Sequence, residues 1–213
     1  MQAIISFILM ETELSLLDAA KRMDKEALVK IFDLYATPLY RYALRLCGDV
    51  LMADHIVGDV FAKLLDHLAS GKGPRSNLRS YLYQTAYHII VDEARSSLRQ
   101  APLEALTSLS PEVPSGLPGV ENHVMLEKVL VAIEHDLTED QRHVVILRFL
   151  EEFSLRETAA ILGKEVNHVK VIQNRAIAKL RKVFESSEIQ TAVSLPKIEE
   201  VSKPLNLDSS AAP

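Results

Sequence analysis

Between residues 100 and 122 the helical pattern that runs through this chain breaks off. The run APLEALTSLSPEVPSGLPGVEN holds Pro102, Pro111, Pro114 and Pro118, carries no basic residue, and includes Glu104, Glu112 and Glu121. Each proline removes a backbone donor and collides with the turn before it, so neither a helix nor a central strand can cross the segment. The chain is therefore expected to fold as two units, at residues 11–99 and 123–185, with residues 100–122 as a flexible acidic linker. Fully extended at about 3.3 Å per residue, such a linker reaches ~70 Å.

Both flanking parts carry helical spacing, and no segment alternates apolar and polar residues convincingly. The expected class is all-α, two small helical domains joined by the linker. Leu28, Ile31, Phe32, Tyr35, Leu39, Tyr42 and Leu46 form one stripe, with Asp24 placed to cap its start and Pro38 expected to kink or divide the helix. Val57, Val60, Phe61, Leu64, Leu65 and Leu68 form a second. The glycine-bearing loop GKGPRSNLRS follows, and a third helix is expected from about Tyr81, burying Leu82, Ala86 and Ile89. An apolar content of 48% in 213 residues is enough for real cores. Cys47 is the single cysteine, which excludes an internal disulfide and fits a small packed side chain in a reducing compartment. The apolar start at residues 1–10, MQAIISFILM, lacks a basic beginning and a small-residue cleavage site, and is too short to span a bilayer. Met10 offers an alternative start. A cytoplasmic protein without membrane insertion is expected. Residues 186–213 drift into Pro, Ser and Ala and are expected to be a disordered tail.

The second unit carries sharper signals. Thr138–Gln141 and Ser154–Glu157 are both capping boxes, with a hydroxyl at the cap and an amide or carboxylate three residues on. The second opens a short helix that Gly163 should end. Ala159, Gly163 and Val169 have the spacing of a helix-turn-helix: a small residue where two helices cross, a glycine for the turn, and an apolar residue packing the second helix back. That second helix begins with VNHVKVIQNRAIAKLRKV, which contains no acid although the whole chain has a net charge of −5. A helix lying along DNA gains from having no carboxylates near phosphates. Asn167, His168, Lys170, Val171, Asn174 and Arg175 are its outward residues, and amides and guanidinium groups can pair with base edges. The competing reading is a solvated basic helix in a bundle.

With these motifs in place, LTEDQRHVVILRFLEEFSLRETAAILGKEVNHVKVIQNRAIAKLR resembles the C-terminal DNA-binding domain of bacterial sigma factors. The first unit, through ALVKIFDLYATPLYRYALRL, ADHIVGDVF and SYLYQTAYHIIVDEAR, resembles the other domain of the extracytoplasmic-function sigma factors. The resemblance spans roughly Leu14 to Phe184. It implies a transcription initiation factor that binds core RNA polymerase and promoter DNA. Arg156, Asn167, His168, Lys170, Val171, Asn174 and Arg175 would meet the −35 duplex. Lys72, Arg75, Asn77, Arg79, Tyr83, Tyr87, His88 and Arg95 would meet the melted −10 element. Asp54, His55, Val57, Asp59 and Phe61 would bind the polymerase. His55 and Gly58 stand where the family usually has an acid and Gln. His88 stands for a usual Asn, and Tyr87 for a usual Arg. The family also implies an anti-sigma partner, which no residue specifies by itself. No cofactor and no catalytic residue are expected. Two alternatives stay open: a polymerase-independent helix-turn-helix regulator, and a metal site built from His55 with Asp59 and His88 with Asp92, which share helix faces at i, i+4.

Overall fold

The computed structural model describes residues 13–100 and 129–193, with side chains described for 13–96 and 129–185. Among the described residues all regular structure is helical. The N-terminal apolar segment and the expected linker, apart from its first residue Gln100 at the end of a helix, lie outside them.

Four helices make the first part: α1 over residues 13–21, α2 at Lys25–Cys47, α3 at Val50–Ala69 and α4 at Leu78–Gln100. Asp24 caps α2, its carboxylate accepting the Ala27 amide at 2.9 Å. Asp49 caps α3 in the same way, through the Met52 amide at 2.7 Å. Helix α2 runs through Pro38 undivided, contrary to one of the two outcomes expected there. Burial of the stripe on either side, at Ile31, Leu39 and Tyr42, supplies what the missing amide withholds. Helix α4 begins at Leu78, one turn before the expected start. The Asn77 side chain caps it by accepting the Ser80 amide at 3.0 Å.

The shared core of this part takes Ile31, Leu39 and Tyr42 from α2, Ile56, Val60 and Leu64 from α3, and Leu78, Leu82 and Ala86 from α4. Each fully buried aliphatic side chain contributes roughly 1.5–3 kcal/mol relative to exposure. Not every position of the two stripes is inside. Phe32 is 49% exposed and Leu65 40% exposed, and with Phe61 they line an apolar groove on the outside of α2 and α3.

The second part contains α5, helical over 129–136, α6 at Glu139–Val145, α7 at Leu155–Leu162 and α8 at Val166–Val193. Both expected capping boxes are formed, Thr138 with Gln141 and Ser154 with Glu157. Gly163 ends α7 in the left-handed region, at φ 61°. Ala159 and Val169 are buried on either side of that turn, at 3% and 0% exposure. Helix α8 continues past the expected boundary near Ser186, because no Gly or Pro interrupts it before Pro196. Residues 194–213 lie outside the described ones.

Besides α1, one further element has no counterpart in the sequence reading. Helix α6 widens into a π-helical turn at Ile146–Leu150. The Glu151 amide closes it onto the Ile146 carbonyl at 2.9 Å, and the Phe153 amide reaches the Leu147 carbonyl at the same distance. Arg148 holds the exit of this turn, donating to the Phe153 carbonyl and, through Nε, to Gln173 on α8 at 3.0 Å. The wider turn swings Glu151 and Phe153 out of the α6 register. Both point at the first part of the molecule, and α7 packs on α4.

Candidate nucleic-acid interface

The start of α8 presents one open face. Asn167, His168, Lys170, Val171, Asn174 and Arg175 are all exposed, and Arg156 on α7 is exposed as well. Val169, Ile172 and Ala176 alternate with them at helical spacing and are buried. The helix is thus anchored by one stripe and offers amide, imidazole, ammonium and guanidinium groups on the other. Such a set can pair with base edges and phosphates in a major groove.

The residues expected to meet a melted strand divide. Lys72, Arg75, His88 and Arg95 are exposed. Asn77, Arg79, Tyr83 and Tyr87 are engaged by the second part of the molecule. Tyr83, expected on a DNA-facing surface, is fully buried and donates its hydroxyl to the Glu151 carboxylate at 2.5 Å. Its ring meets Phe153 edge-on with centroids 4.9 Å apart. Arg79 donates to the Glu151 carbonyl, and its guanidinium lies 4.0 Å above the Phe153 ring. Gln84 donates to the Ala160 carbonyl at 3.2 Å, and Asn77 lies 3.5 Å from the Glu157 carboxylate. The Tyr87 ring stands edge-on to His143 at 4.8 Å.

Glu151 is the centre of this arrangement. It is 8% exposed, and Arg45 on α2 adds an ion pair at 3.5 Å. Burial pushes the Tyr83 phenol above its ordinary range, and the Glu151 carboxylate pushes it further. His143 on α6 sits nearby with Nδ1 2.9 Å from the Tyr42 hydroxyl, while its Nε2 has no partner. Burial lowers its pKa to about 4, against a raising influence of Asp140, so the ring is neutral at pH 7. The Glu157 carboxyl is held below its ordinary value: burial opposes ionisation there, but the Ser154 hydroxyl and amide and the Asn77 amide outweigh it. Sequence reading missed Arg45, His143, Glu151 and Phe153. Arg45 and Glu151 lie far apart in the chain, and no local spacing relates them.

The residues expected to bind polymerase lie on α3. Asp54 and His55 are exposed, and Asp59 and Phe61 are half-buried. Val57 is only 8% exposed and belongs to the core, so it supports this face from beneath. His55 and Asp59 pair at 3.6 Å on the open side of the helix. Among the described residues no group of three or more His, Cys, Asp or Glu side chains is placed to hold a metal ion. No described helix is long and apolar enough to cross a membrane.

Comparison with known proteins matches both parts. The family model Sigma-70 region 2 matches residues 31–100, and Sigma-70, region 4 matches residues 135–182. The ECF RNA polymerase sigma factor SigX of Bacillus subtilis is 28% identical over 167 residues, covering 76% of this chain and 85% of its own. The ECF RNA polymerase sigma factor BldN of Streptomyces coelicolor is 26% identical over 180 residues, which is 80% of this chain and 65% of BldN. Among solved structures, the sigma factor RpoE in complex with the anti-sigma factor NepR, from Bartonella quintana, aligns with a TM-score of 0.61 at 22% identity. It covers 73% of this chain and 95% of that one. CnrH in complex with the cytosolic domain of CnrY gives a TM-score of 0.61 at 20% identity, over 82% and 97% of the two chains.

Proposed function

The chain belongs to the sigma-70 family, in its extracytoplasmic-function type, and is a transcription initiation factor; from that premise we propose how its surfaces divide the work. Its partners are core RNA polymerase and promoter DNA. Residues 11–99 form the unit that binds the polymerase and the −10 element, and residues 123–185 the unit that reads the −35 element. The observation that carries the division is the face of α8, where Asn167, His168, Lys170, Val171, Asn174 and Arg175 are exposed between buried anchors, with Arg156 exposed on α7. Arg175, Asn174 and Lys170 read or position the duplex there. Lys72, Arg75, His88 and Arg95, which are exposed, capture the displaced −10 bases, a task that suits cationic and aromatic side chains. Arg79, Tyr83 and Tyr87 join them only when the second part of the molecule moves off them. Unstacking costs a few kcal/mol per base step, so the captured bases need such stacking partners.

On this reading the polymerase meets Asp54, Asp59 and Phe61 on α3. The protein performs no reaction of its own, and it acts in the cytoplasm, where the polymerase works. An anti-sigma factor is a further partner, supported by the complex with the anti-sigma factor NepR in which the structural neighbour RpoE was solved.

Transcription in vitro with core polymerase and genomic fragments tests the reading. Starts at defined promoters should depend on the chain, and Asp54→Ala with Asp59→Ala should lower polymerase affinity while duplex binding by α8 is unchanged. A polymerase-independent regulator would instead bind its operator alone, as a dimer on paired half-sites, and give no stimulated starts.

A further inference from the structure

We propose that the loop from Glu151 to Glu157 is an intramolecular stand-in for the melted −10 strand, closing the surface that captures it. The inference rests on the −10 assignment made above. Single-strand capture needs acceptors for guanidinium, phenol and amide donors, and a flat ring for them to stack on. The loop supplies that set from protein. The Glu151 carboxylate takes the Tyr83 hydroxyl and the Arg45 guanidinium, as a phosphate would. The Glu151 carbonyl takes Arg79. The Phe153 ring lies under the Arg79 guanidinium and against the Tyr83 ring, in the place of a base. Beyond the loop, the Ala160 carbonyl on α7 takes Gln84.

The contact is built to open. Its members are mostly polar, and each can exchange its partner for water or nucleic acid, as in interfaces between units that move. A carboxylate buried this deeply is tolerated only while its partners stay, so loss of Glu151 leaves Arg45 and Tyr83 without an acceptor. The loop and a DNA strand cannot occupy Arg79 and Tyr83 together. The chain therefore has a closed state in which the strand surface is filled and an open state in which it is free, and the dissociation constant for the strand is divided by the open fraction, which weakens binding.

The test uses the full chain and a short fluorescein-labelled single-stranded DNA of random sequence, read by anisotropy. Glu151→Gln and Glu151→Ala should bind it about tenfold more tightly if about a tenth of the parent molecules are open. Glu152→Gln makes the same charge change at an exposed neighbour and should leave the affinity at the parent level. Circular dichroism and binding to a random duplex verify that each variant is folded. Unchanged strand affinity in both folded Glu151 variants overturns the proposal, and so does an equal gain in Glu152→Gln. The −10 assignment fails separately: Arg79→Ala placed on Glu151→Ala should cut promoter-dependent transcription with core polymerase. Undiminished transcription there would reject that assignment, whatever the anisotropy shows.

Discussion

At the scale of residues, the chain uses cations in two different ways. Lys170 and Arg175 stand exposed on α8, while Arg45, Arg79 and Arg148 are half-buried and committed to carbonyls or carboxylates. An always-charged planar guanidinium suits such half-buried fixed contacts better than an ammonium does. For the exposed pair the expected cost of truncation depends on what each meets. Arg175→Ala or Lys170→Ala should weaken binding to a −35 duplex by about 1–3 kcal/mol if base readout is lost. A uniform loss across sequences with a shallower salt slope would assign the residue to phosphate contact instead. Binding curves at several salt concentrations, on the cognate duplex and a scrambled one, distinguish the two.

At the scale of elements, the turn between α7 and α8 rests on one backbone conformation. Gly163 has φ 61°, and a Cβ built on it would meet no atom within 4 Å. Gly163→Ala should thus lose only the cost of forcing an L-residue into the left-handed region, about 1–2 kcal/mol. A urea titration measures it, and a much larger loss would mean that the helix packing itself is disturbed. The capping boxes were legible in the sequence because each depends on residues three positions apart, and the turn because Ala159, Gly163 and Val169 lie within ten. The π-helical turn at Ile146–Leu150 was not. Its sequence, ILRFL, continues the helical stripe, and only the closure of Glu151 and Phe153 onto it reveals the wider winding.

For the whole molecule, the junction between the parts should respond to acid. His143 is neutral there, with its pKa at about 4 against an ordinary 6.5. It is surrounded by Tyr42 and Tyr87 from the first part, with Asp140, Arg142 and Lys164 acting on it from its own. A depressed histidine leaves the packed state at full stability above about pH 6.5. Stability is then lost as the pH falls towards 4, up to about 3 kcal/mol in all. Proton resonances of the His143 ring should titrate well below 6, and urea midpoints should fall between pH 7 and pH 5. In His143→Gln that part of the pH dependence should vanish. A ring that titrates at its ordinary value would show the junction to be hydrated.

The sequence by itself determined the apolar stripes of α2, α3 and α4, the caps at Asp24, Thr138 and Ser154, the turn at Gly163 and the face of α8, because these follow from spacing along one element or between two neighbouring ones. It also placed Lys72, Arg75, His88 and Arg95 on an open surface. The tertiary structure decided the fate of Tyr83 and Arg79. Both have the chemistry to face a strand, but whether they do depends on Glu151 and Phe153, which approach them from a distant part of the chain. Contacts of that kind leave no periodic trace in either segment. Their energy comes from mutual burial and hydrogen bonding, which exist only once the two parts meet.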